Sequence, residues 1–148
     1  MNATATGKAP VHLWIVGLLS LLWNGFGAYD YVMSETRNAD YFAMMTTNVA
    51  EVVAYLDSFP AWAVACWAVG VWGSVLGSIL LLLRSRYAVW AFALSIVGAL
   101  ASFAYQFTTQ VPASLDTTTN NIIPVVIMIL IVAQLWYANK VKQQGVLR

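Results

Sequence analysis

Residues 60–107 read PAWAVACWAVGVWGSVLGSILLLLRSRYAVWAFALSIVGALASFAYQF, and their reading decides the fold. Two apolar runs, 60–83 and 87–107, are parted only by Arg84, Ser85 and Arg86. Each run has about the ~20 residues that a helix needs to cross the hydrocarbon core of a bilayer. Three residues make nothing but a tight turn, so the pair predicts an antiparallel transmembrane hairpin. Pro60 suits a first helical turn, where its missing N–H would have had no intrahelical partner. Composition agrees with this reading: 61% of the 148 residues are hydrophobic, 9% are charged, and the mean hydropathy is +0.72. Soluble domains carry about 25% charged residues, so a water-facing surface cannot be built from this chain.

Working outward, an apolar run at 11–33 precedes the hairpin and another at 122–138 follows it. The first stands behind a polar start and a lysine, as a signal peptide would, but it is long for a signal core and is read as a retained helix. Pro124 falls in the first turn of the last run, with Asn120 or Asn121 as candidate caps. The chain is therefore expected to be all-α, one domain over 1–148 with four transmembrane helices. Loops at 34–59 and 108–121 and a tail at 139–148 complete it. Within 34–59, Phe42, Met45, Val49, Val52 and Leu56 recur at steps of three and four, predicting one or two short amphipathic helices. Asn48 and Glu51 have the spacing of a capping box. The 108–121 loop is polar and Thr-rich.

Charge supplies an orientation. Asp30, Glu35, Asp40, Glu51, Asp57 and Asp116 all fall on one side of the four-span scheme, with Arg37. Lys8, Arg84, Arg86, Lys140, Lys142 and Arg148 fall on the other. Short loops rich in Lys and Arg stay in the cytoplasm, so both termini are expected there. Trp14, Tyr87, Trp90, Trp136 and Tyr137 would form an inner aromatic belt, and Tyr29, Tyr31, Trp62 and Tyr105 an outer one.

Helices in lipid associate through close packing and interhelical hydrogen bonds, so small residues should stripe the contact faces. The first helix offers Gly17, Ser20, Asn24, Gly27 and Tyr31. The second offers Cys66, Gly70, Gly73 and Gly77, and the third Ala91, Ser95, Gly98, Ser102 and Tyr105. The fourth, chiefly Ile, Val and Leu over 122–132, offers almost none and is expected to face lipid or a partner broadly.

Several chemistries are excluded. A single cysteine, Cys66, allows no internal disulfide or dithiol redox centre. A single histidine, His12, allows no paired haem ligands, and no His or Cys cluster suits a transition metal. No basic run suits nucleic acid, and no cofactor is expected. His12 at the inner edge reads as solvated. Asn24, near the middle of the first helix, is either an interhelical hydrogen bond, with Ser74 one candidate partner, or a ligand contact. Trp23 and Trp72 lie at similar depth and either fill volume or, with Asn24, line a pocket for a small ring-shaped solute. At the outer margin, Asp30, Arg37 and Asp40 form the one candidate charge cluster, with an ion pair from Asp30 to Arg37 expected to tie the loop to the bundle.

Residues 22–31 (LWNGFGAYDY), Thr36-Arg37-Asn38, Phe59-Pro60-Ala61-Trp62, Gly70-Val71-Trp72-Gly73, Gly77-Ser78, Arg84-Ser85-Arg86 and Tyr105-Gln106 form a recognisable set. Together they resemble a group of small four-helix bacterial inner-membrane proteins, mostly from proteobacteria, that often carry a sugar-transporter label. The resemblance covers the first three helices, implies a bacterial inner-membrane location, and assigns no catalytic or binding residue. The leading expectation is a non-enzymatic accessory or assembly subunit in the lipid bilayer, with a membrane-protein partner, or a small homo-oligomer. Transport or binding of a small neutral solute such as a sugar is the alternative. An enzyme working at the outer interface is the weakest reading, because acid–base chemistry needs positioned titratable groups and only the Asp30–Arg37–Asp40 cluster offers them.

Overall fold

The computed structural model describes residues 8–148, so the polar start lies outside the described residues. Six helices follow in order: α1 (Val11–Glu35), α2 (Ala39–Ala43), α3 (Val49–Asp57), α4 (Ala61–Leu82), α5 (Ala88–Thr108) and α6 (Thr118–Gln143). Four of them, α1, α4, α5 and α6, are long and apolar enough to cross a membrane. The chain is an all-α, four-span protein. A spanning backbone must satisfy its hydrogen bonds within itself, which is why the apolar runs fold as helices.

Helices consecutive in the bundle are neighbours in space. The contact between α4 and α5 is the most extensive, followed by α1 with α4 and α5 with α6. The hairpin read from 60–107 is thus the spine of the molecule. Its closeness rests on glycine. A Cβ built on Gly98 would stand 2.6 Å from the Gly70 nitrogen and 2.7 Å from the Cys66 carbonyl oxygen. Both are backbone atoms and cannot step aside. Ser95 Oγ donates to the Gly70 carbonyl and locks the same crossing. Gly27, expected on the contact face of α1, has open space around it, and Ala28 is buried in its place.

Three helices end in the same hydrogen-bonded turn, the Schellman motif. After α1, Arg37 N–H donates to the Ser34 carbonyl and Asn38 N–H to that of Met33. After α4, Arg84 and Ser85 N–H donate to the Leu81 and Leu80 carbonyls, and after α6, Gly145 and Val146 do so to Lys142 and Val141. The motif needs a left-handed residue. Gly145 supplies it at α6 with φ +73, but arginine does so at the other two, with φ 51 at Arg37 and 59 at Arg84.

Several boundaries differ from the sequence reading. Pro60 is the N-cap of α4 and stands before its first turn. Helix α6 begins at Thr118 behind an N-cap at Thr117, whose hydroxyl accepts from Asn120 N–H, so neither Asn120 nor Asn121 is the cap. Pro124 consequently lies inside the helix, beyond its first turn. The helix also continues to Gln143, five residues past the expected end at 138, and the residues after it turn back onto the bundle. The stripe in 34–59 is divided: Phe42 belongs to α2, Val49, Val52 and Leu56 to α3, and Met45 between them is exposed. Tyr41, Phe42 and Val52 still form a small core there, with Met33, Leu56 and Leu115 packed against it. Asn48 makes no backbone cap bond, its amide meeting the Glu51 carboxylate at 3.2 Å instead.

Gly98→Ala should separate α4 from α5 and cost about 1–3 kcal/mol, the usual range for overpacking a well-fitted site. Ile129→Leu, on an exposed face of α6, should change nothing. Thermal unfolding of the purified protein in mild detergent distinguishes the two, and equal behaviour would refute the glycine crossing.

Candidate functional site

Asn24 sits on the buried face of α1, 4% exposed, and its side-chain nitrogen reaches two other helices. Nδ2 lies 3.1 Å from the Ser74 carbonyl and 2.9 Å from Ser78 Oγ on α4, and 3.0 Å from Gln134 Oε1 on α6. A backbone carbonyl only accepts, so the nitrogen must be the end that faces Ser74. Ser78 Oγ donates in turn to the Ser74 carbonyl at 2.9 Å, and Ser74 Oγ to Val71 at 2.8 Å. The interhelical role of Asn24 is therefore realised, and Ser74 is one of its partners. Gln134 was not singled out in the sequence. It is 7% exposed and stands in a buried stripe of Ile131, Gln134, Ala138 and Val141, which gives the second half of α6 a packing face. A lone amide at the three–four–three step of that stripe was the signal.

This amide pair is not saturated. Among the described residues, Asn24 Oδ1 and Gln134 Nε2 have no hydrogen-bond partner. Neither is wholly enclosed, because the one fully enclosed and unpartnered polar side-chain atom among the described residues is Ser114 Oγ. No ionisable side chain takes part in these hydrogen bonds.

The two tryptophans grouped with Asn24 do not join it. Trp23 is 41% exposed and Trp72 47%, and neither makes a ring contact or hydrogen bond to Asn24. Trp72 instead meets Tyr31 edge-on at 6.3 Å between ring centroids, and Trp67 meets the same tyrosine at 5.0 Å. His12 is not merely solvated: its Nδ1 lies 2.5 Å from the Tyr137 hydroxyl, a second link between α1 and α6.

The charge cluster expected at the outer margin is partitioned differently from expectation. Asp30 accepts from the Tyr41 hydroxyl at 2.6 Å. Burial, and then the bond to the Asp30 carboxylate and its charge, push the Tyr41 hydroxyl well above the usual tyrosine range. Arg37 pairs with Asp57 at 2.9 Å and, more loosely, with Glu35 at 3.8 Å, while also donating to the Ser34 carbonyl at 2.6 Å. Asp40 is exposed in the first turn of α2. The loop is tied to the bundle by an ion pair, as the sequence suggested, but α3 supplies the carboxylate. Asp30, Arg37 and Asp40 do not converge on one point. No protein-family model, curated protein or solved structure matches the chain.

Asn24→Ala and Gln134→Ala, alone and together, should reveal a favourable coupling on the order of 1 kcal/mol, the size found for hydrogen bonds between membrane helices. A double-mutant cycle of unfolding in detergent measures it. Strict additivity would mean that the bridge between α1 and α6 contributes nothing.

Proposed function

We propose that the protein is a non-enzymatic integral membrane subunit that works by associating with another membrane protein, or with copies of itself. The flank formed by α5 and the first half of α6 is the contact surface. The observation that carries this is the division of α6. Its buried residues, Ile131, Gln134, Ala138 and Val141, all fall in the second half. The first half leaves Ile122, Ile123, Val125, Val126 and Ile129 uncovered. Beside it opens an apolar groove of about 350 Å³, lined by Leu100, Phe103, Phe107, Pro124, Met128 and Ile129 among others. A span that met only lipid would need apolarity but no such shape, whereas close packing is what drives helices together in a bilayer. The separation of charge between the two ends supports a bacterial inner membrane with both termini in the cytoplasm.

Ile129→Trp fills the groove without touching the bundle core, and should dissociate the complex while leaving monomer stability unchanged. Sizing in mild detergent with native mass spectrometry reads this out. A strictly monomeric protein, or a complex indifferent to Ile129→Trp, would overturn the reading.

A second reading, binding or transport of a small neutral solute, is favoured by the unsaturated amides of Asn24 and Gln134 and by the resemblance noted above. Uptake into liposomes that is lost in a folded Asn24→Ala variant would support it. Unaltered uptake would end that assignment.

A further inference from the structure

The end of the bundle where α1 begins and α6 finishes collects cations. Arg84, Arg86, Lys140, Lys142 and Arg148 all stand there, and among the described residues no Asp or Glu side chain does. The last residues hold this group together. Arg148 N–H donates to the Arg84 carbonyl at 2.7 Å, and Arg86 N–H to the Arg148 carbonyl at 2.8 Å. Arg84 Nε donates to the Val146 carbonyl at 3.1 Å. Leu147, between them, is buried with Leu13, Leu81, Phe92 and Val141. The turn after α4 and the chain beyond α6 therefore form one pinned platform.

Beneath the platform, between α5 and α6, runs an open slot of about 400 Å³ lined by Val89, Trp90, Ala93, Val132, Leu135 and Trp136, with Asn139 towards the cationic end. Two cations stand over aromatic rings at this end, one of them on a wall of the slot. The Lys140 ammonium lies 5.1 Å from the centroid of Trp136, itself a wall of the slot. The Arg86 guanidinium lies 5.6 Å from that of Tyr87, the residue before α5. Cations laid on aromatic faces are held in place at low entropic cost and remain open to an anion. Apolar slot and cationic rim thus meet at one level.

We propose that this is a binding site for an anionic phospholipid. The acyl chain lies in the slot, and the headgroup phosphate meets Arg86 and Lys140, with the Asn139 amide as a further donor. Charge decides the headgroup: a zwitterionic lipid also brings an ammonium, and no side-chain carboxylate at this end receives it. The site is separate from the Leu100–Ile129 groove, which lies along the other half of the same two helices. Its success or failure is independent of the association reading.

The test uses the whole purified protein, delipidated in detergent and titrated with phosphatidylglycerol, phosphatidylcholine or inorganic phosphate. Thermal shift and native mass spectrometry report binding. Phosphatidylglycerol should bind and stabilise; phosphatidylcholine and inorganic phosphate should do neither. Arg86→Gln with Lys140→Gln should weaken apparent affinity about 30-fold, as expected for losing two cations at a membrane surface. Val132→Trp blocks the slot from its exposed wall, keeps every charge, and should weaken binding as well. Equal binding of both lipids, or protection by phosphate alone, would overturn the site. So would a charge effect without a slot effect, which marks general attraction to an anionic surface, or binding that survives both variants, or preferential capture of an acidic peptide over lipid.

Discussion

A single amide closes this bundle. The α4–α5 crossing is held by glycine, close contact and the Ser95 bond to the Gly70 carbonyl, and α1 and α6 pack on either side of it. No extensive contact joins those two helices directly, and apolar packing alone would leave their register loose. Asn24 fixes it, because its nitrogen must find acceptors at one depth and the Ser74 carbonyl, Ser78 Oγ and Gln134 Oε1 are all there. Leaving an amide unpaired in an apolar medium costs roughly 2–7 kcal/mol depending on the reference state, so mispacked arrangements are penalised more than the native one is rewarded. The bridge between His12 and Tyr137 pins the same two helices nearer their terminal ends. Two polar links thus align two helices that apolar contact joins only weakly.

The same reasoning explains where specificity and adhesion reside. Serines line the interior at Ser20, Ser74, Ser78, Ser95 and Ser102, all buried, and several return their hydroxyl hydrogen to a backbone carbonyl of their own or a neighbouring helix. A small side chain permits approach while its hydroxyl needs no external partner. Large apolar side chains are displaced outward, to the flanks that meet lipid or protein. A membrane protein of this size is consequently most polar inside and most adhesive outside, which is why both grooves lie on the α5–α6 flank.

The four spans were legible because their signal is long and redundant: about 20 apolar residues, bounded by charge or proline, admit one reading. The contact faces of α4 and α5 were legible because Gly70, Gly73, Gly77 and Gly98 have no other use in an apolar helix. Asn24 was legible as a bridge, and Ser74 as one acceptor, since only the depth of each residue had to be matched. What failed was local. The caps of α6 turned on whether Thr117 or the asparagines stood at the boundary, a choice separated by little energy. Gln134 hid in a face that, apart from Ile131, lies beyond the 122–132 window. Trp23 and Trp72 share a depth with Asn24 but not an azimuth, and depth alone cannot assemble a pocket. The fold of the last residues over the α4–α5 turn had one signal, Gly145 followed by Val146, the pattern of a helix stop with an apolar residue after it.

Arg37 draws these threads together. It is the one cation among six acids at its end, and a topological reading treats it as an exception. The structure gives it a local reason. Helix α1 must stop within two residues for the chain to turn into α2, and the stop requires a left-handed residue at position 37. Glycine would be the usual choice, since a side chain there costs about 1–2 kcal/mol. Arginine repays that strain through its own contacts: the Ser34 carbonyl, the Asp57 carboxylate and Glu35 all receive its guanidinium. The half-exposed ion pairs alone would give only about 0–1 kcal/mol, so the bond to the helix's own terminal carbonyl is the necessary addition. Arg84 repeats the device at the opposite end, left-handed and bonded through Nε to the Val146 carbonyl. Both arginines are helix stops first and charges second. The charge at position 37 therefore reflects how α1 ends, and the bias proposed to orient the protein rests on the remaining cations, which all lie at the other end.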